Sequence, residues 1–498
     1  MEDICLILEG TYPFVRGGVS SWVDLLIKGM PDLKFSLITI MPTIKDKNVY
    51  KYDLPANVTS FIEVFLQDTV IHQVPAPQKS KAKILWKTIR DYFNSPPNER
   101  TKYFSEMIEG LAIDKTRAIN TKDFLFSKEM WDIVVEQYNK TSPNESFIDY
   151  FWTWRFINMP ILQMLNVEIP QAKLYHTVCT GYAGLVGIKA KQLYNAPLLL
   201  TEHGIYTKER NIEINRSDWI YTKKEAKTVI KRTPGTFKEM WINSFTAMGK
   251  LCYDYSDEIT TLYGGNKKLE IEFGAEESKI KIIPNGVILK DFLPLINTFP
   301  KTDGRLRVGL VGRVVPIKDI KTFIKACKMV ADEMENVDFL VIGPTEEDEE
   351  YFKECLSLTE MLGLNGRLTF TGKADVKKYY PMLDVKVLTS ISEGQPLTIL
   401  EALCVGVPIV SSDVGSCSEL IYGYTDEDKK LGSCGIITAI GKPRETGEAI
   451  IKILKDDNLR KQMIQSGLKR VKKYYDQDAV IAQYRDLYER HMLKAGKR

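Results

Sequence analysis

Six short apolar runs recur through the second half of the chain, and their spacing leaves little choice of fold. RVGLVGR (307–313), VDFLVIG (337–343), LTFTGK (368–373), VKVLTS (385–390), PIVSSD (408–413) and CGIITAI (434–440) are separated by stretches of helical periodicity. Strand-length apolar runs alternating with helices predict an α/β doubly wound parallel sheet, buried on both faces by its own crossover helices. Solenoid-length repetition is absent from the sequence.

The first half follows the same rule with one interruption. ICLILEG (4–10), FSLITIM (35–41), TSFIEVFL (59–66), KLYHTV (173–178), PLLLTEHG (197–204) and EITTLY (258–263) read as strands, followed by KIKIIPNGV (279–287). Between about residues 78 and 165 the pattern turns helical and aromatic, with amphipathic segments split by Pro and Asn turns. This reads as a helical insertion whose Trp and Phe residues form a small core, with Arg155 in the aromatic run as an exception. A long amphipathic stretch follows near 222–255, and the Pro-containing polar residues 291–303 suit a linker. The expected division is 1–290, 300–470 and a C-terminal helical segment 471–498.

Composition narrows the function. A formal net charge of +3 without a basic stripe argues against nucleic acid as a partner. No run of 18 apolar residues is present, and MEDICLILEG lacks the basic start of a signal peptide, so a cytoplasmic chain is expected. Eight cysteines without CxxC pairs suit reduced thiols. With four histidines, no clustered Cys/His and no DxD pair at a strand end, no metal site is expected.

The chemistry collects at strand ends, where open α/β sheets bind ligands. In ISEGQPLTILEALCVGVPIVSSDVG (391–415), Glu393 and Glu401 flank a loop and a helix start that carries Pro396. Were all eight steps between them helical, the carboxylates would stand about 12 Å apart along the axis and be rotated by about 80°. That span suits a hexose at one end and a ribose at the other, with free helix-start N–H groups facing a diphosphate between. Arg313 and Lys318, in GRVVPIKDI after the first strand of the second half, are two cations able to hold such a diphosphate. Arg16, Gly17 and Gly18 precede a helix that Ser20 or Ser21 would cap, and glycines there let backbone amides approach a phosphate. His176, Glu202 and His203 end strands of the first half.

Taken together, the strand–GGV loop–helix, His at a strand end, PNGV, GRxxxxKD and E-x7-E with EALCVGVPIV resemble the retaining glycosyltransferases of the GT-B fold, family 4. The opening LILEGTYPFVRGGVSSWV is more narrowly similar to the cytoplasmic glycosyltransferase of bacterial Pel exopolysaccharide systems. The resemblance implies two Rossmann-like domains facing a central cleft, an acceptor side in 1–290 and a nucleotide-sugar side in 300–470, with the C-terminal segment crossing back. It implies that Glu393 accepts from donor-sugar hydroxyls and that the amides of Gly394, Gln395 and Leu397 hold sugar and phosphate. Thr398 adds a phosphate contact, Glu401 binds the ribose, Arg313 and Lys318 hold the diphosphate, and Gly17–Gly18 close over it. His203 lies beside the reacting sugar, with His176 a second candidate. The implied reaction moves a hexose or N-acetylhexosamine from an NDP-sugar, UDP-linked, to a polysaccharide acceptor without metal or cofactor. The acceptor hydroxyl attacks the face that the nucleotide leaves, while Glu202 stands as either a nucleophile or a structural acceptor. An export complex at the inner membrane face is the implied partner. The alternatives are a nucleotide-sugar-binding subunit without turnover and a GT-B phosphorylase or epimerase.

Overall fold

The computed structural model describes residues 1–43, 50–66, 79–96, 99–113, 126–217, 220, 235–300 and 302–495. The chain divides into two units: one holds Met1–Thr261, Lys267–Lys281 and the residues from Tyr484 on, the other Leu262–Asn266 and Ile282–Gln483.

The first unit is built on β1 (Glu2–Glu9), β2 (Phe35–Met41), β3 (Val58–Phe65), β4 (Ala172–Thr177), β5 (Leu198–Glu202), β6 (Glu258–Thr261) and β7 (Ile280–Ile282), in the order β3-β2-β1-β4-β5-β6-β7. β1 pairs in parallel with β2 and β4, β2 with β3, and β5 with β4 and β6. Ile4 to Leu8 are wholly buried, as expected of a strand covered on both faces. The helix Gly18–Lys28 starts at Gly17 with no side-chain cap, and Ser20 is buried inside its first turn. The expected serine cap is therefore not used; the glycine turn itself opens the helix.

The aromatic segment forms helices at Lys79–Asn94, Arg100–Ile108, Lys128–Thr141 and Phe147–Asn166, the last two capped by Ser127 and Ser146. Phe104, Tyr150 and Trp154 join the apolar core of the unit, whereas Arg155 lies over the rings of Phe126 and Trp152. Gln78, where this segment was expected to begin, and the start of the stretch near 222–255 lie outside the described residues; the latter appears as the helix Thr236–Tyr255.

The second unit carries β8 (Leu306–Val311), β9 (Val337–Ile342), β10 (Leu368–Phe370), β11 (Val385–Leu388), β12 (Ile409–Ser412) and β13 (Gly435–Thr438), in the order β10-β9-β8-β11-β12-β13. All five pairs are parallel. The strand order reverses between β8 and β11, which opens a crevice beyond their carboxyl ends. Residues 291–303, read as a linker, lie within this unit, and Phe292 is buried in its core. Arg470, on the helix Asp457–Tyr474, is fully buried and donates to Asp428 and to the carbonyls of Ile421, Asp428 and Gly432. In the final helix, Gln477–Ala495, the residues from Tyr484 on belong to the first unit, where Tyr484 and Tyr488 contact Thr201 and His176 and Arg485 pairs with Asp32. All eight cysteines are free thiols. Among the described residues no helix is long and apolar enough to cross a membrane.

Candidate functional site

The crevice between β8 and β11 is where the sequence-predicted residues of the second unit meet. After β8 the chain passes Gly312 and Arg313, makes a single 3-10 turn at Pro316–Lys318, and enters the helix Ile320–Glu333 through Asp319. Asp319 has a left-handed backbone (φ 45°), and its carboxylate accepts from the Thr322 amide and hydroxyl. That cap fixes where the preceding lysine stands. Thr389, just beyond β11, donates to the Lys318 and Asp319 carbonyls at 3.0 Å each, and Ile391 N–H donates to Ile317 O, so the two strand ends are stitched together.

Lys318 Nζ donates to Glu393 Oε1 at 2.5 Å, and the Ser390 hydroxyl donates to the same oxygen at 2.5 Å. Glu393 does not lie on a helix: the helix runs Leu397–Cys404, with Pro396 at its N-cap. The uniform helical span considered for the two carboxylates is therefore replaced by a loop at Glu393 and a helix at Glu401, because Gly394 and Pro396 interrupt the backbone hydrogen bonds. The loop is held from below by Gly415 (φ 54°), where a Cβ would collide with the carbonyl oxygens of Glu393 and Gly394, and Ser416 N–H donates to Gly394 O at 2.9 Å. Gln395 accepts from Asn285 N–H at 2.7 Å. This ties the PNGV turn to the same loop.

Glu401 sits one turn into the helix and accepts from Tyr380 Oη at 2.6 Å. Burial raises its pKa above the usual carboxylate range, against the opposing pull of the Tyr380 hydrogen bond and of Lys386 and Lys377. The N–H groups of Leu397 and Thr398 open the helix without intrahelical acceptors, ready for an anionic or carbonyl ligand. Arg313 points away from the pair, to Glu347 at 2.5 Å, with both side chains about half exposed. Such an exposed pair is worth well under about 1 kcal/mol and yields readily to a stronger anion. The structure thus brings Lys318, Glu393, Gly394, Gln395, Leu397, Thr398 and Glu401 together. It leaves Arg313 at the rim.

The model of a domain of unknown function, DUF3492, matches residues 2–278, and that of the glycosyl transferases group 1 matches residues 295–470. The chain belongs to the DUF3492 family, and within its second half residues 295–470 match the group 1 glycosyltransferases. The chain is 26% identical over 252 residues to the N,N'-diacetylbacillosaminyl-diphospho-undecaprenol alpha-1,3-N-acetylgalactosaminyltransferase of Campylobacter jejuni, a match covering 48% of this chain and 62% of the relative. It spans 42 to 62% of the length of the first curated relatives that it matches. Among solved structures it is similar to a sucrose-phosphate synthase from Thermosynechococcus elongatus (TM-score 0.57, 16% identity, 98% of each chain). It is also similar to HepE from Anabaena in complex with UDP and glucose (TM-score 0.56, 14% identity, 98% of this chain and 100% of that one). These likenesses and the two parallel sheets establish the GT-B fold.

In the DUF3492 half, His203 follows β5 and meets the Trp22 ring edge-on, with centroids 4.7 Å apart. Burial depresses its pKa to about 4, so the ring is neutral at ordinary pH. His176 is wholly buried, its Nδ1 lies 2.7 Å from Tyr488 Oη, and its Nε2 lies 2.7 Å from Thr201 Oγ1, so both ring nitrogens are engaged. Glu202 is likewise buried, accepting from Tyr253 Oη at 2.6 Å, Tyr206 N–H and the Thr180 hydroxyl. Of its two readings, the structural acceptor is the one that this geometry favours. A Cβ at either Gly17 or Gly18 would meet open space, so backbone there is accessible.

Three residues escaped the sequence reading. Tyr380 carries no signal in the sequence, since it lies in an unremarkable KKYYP turn. Glu9 ends β1 and accepts from Tyr206 Oη at 2.6 Å, a role the apolar run hid. Lys386 does leave a signal, as a lone charge inside the apolar VKVL strand.

Proposed function

We propose that the chain is a retaining glycosyltransferase that moves a hexose or N-acetylhexosamine from a UDP-linked donor to a growing polysaccharide. The observation that carries this reading is the Lys318–Glu393 pair at the strand-order reversal, with the Glu401 carboxylate one helix turn beyond the free amides of Leu397 and Thr398. Glu393 accepts from the sugar hydroxyls, the amides of Gly394, Gln395 and Leu397 and the Thr398 hydroxyl take sugar and phosphate, and Glu401 accepts from the two ribose hydroxyls. A leaving diphosphate draws Lys318 from Glu393 and Arg313 from Glu347, so protein cations neutralise it without a metal ion. Uridine as the base is supported by HepE, whose fold this chain shares and which is held in complex with UDP and glucose.

On the acceptor side, the amides of Gly17 and Gly18 and the neutral His203 ring are assigned to substrate contact, His203 orienting a sugar hydroxyl. Retention proceeds by attack on the face from which the diphosphate departs: the acceptor O–C1 bond forms as the C1–O phosphate bond breaks, and the leaving phosphate oxygen takes the acceptor proton. The engagement of Glu202 by Tyr253, Tyr206 and Thr180 supports this path over an enzyme nucleophile. The opening LILEGTYPFVRGGVSSWV supports assignment to Pel-type exopolysaccharide synthesis, with recruitment to an export complex at the inner membrane face.

Incubation with UDP-glucose, UDP-N-acetylglucosamine and UDP-N-acetylgalactosamine plus oligosaccharide acceptors tests the reading. Release of UDP matched by glycan carrying the donor's anomeric configuration is expected. Isomerised donor without UDP release makes the chain an epimerase; binding without turnover makes it a nucleotide-sugar-binding subunit. Either result, or an inverted product, contradicts the proposal.

A further inference from the structure

Lys386 lies in the middle of β11, opposite Gly309 of β8 and Ile409 of β12, and is 0% exposed. Its Nζ makes no hydrogen bond among the described residues. The other buried cations are satisfied. Arg470 spends its guanidinium on Asp428 and three carbonyls, and Lys189 donates to Val167 O at 2.7 Å. A buried ammonium without partners is strongly unfavourable, far more so than a leucine or valine at the same position. Stability therefore does not account for this lysine.

Its surroundings do. Leu388, two residues on and hence on the same strand face, shares one core cluster with Ile399 and Leu400 of the helix that carries Glu401 and with Cys417, which places Lys386 on the sheet face that this helix covers. The titratable groups whose charges act on it are Cys417, Glu393, Lys318 and Glu401. Two of these are the site carboxylates. The third is the lysine already paired with Glu393.

We propose that Lys386 is a positioning residue for the nucleotide-sugar site, a buried counter-charge that holds Glu401 as a carboxylate and balances Glu393 once Lys318 turns to the phosphates. The inference rests on the reading of Lys318, Glu393 and Glu401 as donor ligands. A ligand closing over the crevice removes water from both carboxylates while engaging Lys318, and a fixed cation beneath them offsets that loss without competing for the ligand.

The proposal has a pH signature. Burial pushes the Lys386 pKa down to about 8, so its charge is present below that pH and lost above it. Lys386 also opposes the burial that raises Glu401, so removing the ammonium lets Glu401 protonate at higher pH. Affinity for UDP-glucose and UDP-N-acetylglucosamine, titrated calorimetrically from mildly acidic to mildly alkaline pH, is the measurement. The wild type is expected to bind best near neutrality and to weaken as pH rises through about 8. Lys386→Met is expected to bind about tenfold less tightly at neutral pH, to lose the alkaline limb, and to shift the acidic limb upward by about one unit. Lys386→Arg, which keeps the charge, is expected to recover part of the affinity.

A wild-type profile flat through pH 8 overturns the inference without need of a variant. So does a Lys386→Met profile that superposes on the wild type's. Absence of binding by the wild type to either donor instead overturns the donor-site reading beneath it.

Discussion

Lys318 Nζ stands 2.5 Å from Glu393 Oε1, joining the turn after β8 to the loop after β11, with the two side chains only 23% and 13% exposed. In the proposed reaction the two partners part: the lysine goes to phosphate and the glutamate to sugar. Hydrogen bonds to charged groups are worth about 1.5–3 kcal/mol. Glu393→Gln should therefore weaken UDP-glucose binding at least about tenfold while leaving UDP within about threefold. Lys318→Met should weaken both. Calorimetry on the two variants separates these patterns, and equal losses for UDP and UDP-glucose in Glu393→Gln would remove Glu393 from the sugar.

Tyr380 Oη donates to Glu401 at 2.6 Å, and in the proposed complex the rest of that carboxylate takes the ribose. Glu401→Ala should reduce UDP affinity by about 2 kcal/mol but leave 2′,3′-dideoxy-UDP nearly unaffected, since the analogue has no hydroxyls to lose. Tyr380→Phe removes a donor that favours the Glu401 carboxylate and should move the acidic limb of UDP binding to higher pH. Identical losses for UDP and its dideoxy analogue would place the ribose elsewhere.

Gly415 and Gly363 both have left-handed backbones, φ 54° and φ 66°, yet only Gly415 faces backbone, the carbonyls of Glu393 and Gly394. Gly363→Ala should cost only about 1 kcal/mol of strain. Gly415→Ala carries that strain and also displaces the loop, so it should lower both melting temperature and UDP-glucose affinity. Comparable binding by the two variants would show that the loop position does not matter to the ligand.

Much of this was legible in the sequence, for physical reasons. Strands covered on both faces are largely apolar, so the strands were visible as runs, and Gly394 and Pro396 marked the loop and helix start between β11 and β12. Pairings were not legible, because they depend on tertiary register. Arg313 and Lys318 look alike five residues apart, yet one meets Glu347 and the other Glu393. His176 resembled a ligand residue until the fold brought Tyr488, 312 residues away, to its Nδ1. Lys318, Glu393, Gln395 and Glu401 meet in one crevice of the second unit with Arg313 at its rim, whereas His176 and Glu202, chosen for lying at a strand end, are internal hydrogen-bond partners in the first unit.

Glu202 and Glu270 are buried in the first unit; burial, with the charge of Glu209, pushes the Glu202 pKa up to about 7, and burial, with the charge of Glu202, pushes that of Glu270 up to about 8. Both lie above the ordinary glutamate value, so the folded state favours the protonated forms. That contribution is complete in acid and lost as pH rises through about 7 and about 8. Calorimetric melting of the first unit should fall by about 3 °C or more between pH 6 and pH 8.5, and Glu270→Gln should make the fall shallower. A melting temperature that rises over this interval would contradict the assignment.

Every proposed role in the second unit depends on a nucleotide diphosphate lying across the β8–β11 crevice. A crystal structure of the chain with UDP tests it directly. The expected result puts the ribose hydroxyls on the Glu401 carboxylate, the phosphates on the Leu397 and Thr398 amides, and Lys318 Nζ moved from Glu393 to a phosphate oxygen. UDP bound elsewhere, or bound there with the Lys318–Glu393 pair intact and Glu401 untouched, would contradict it.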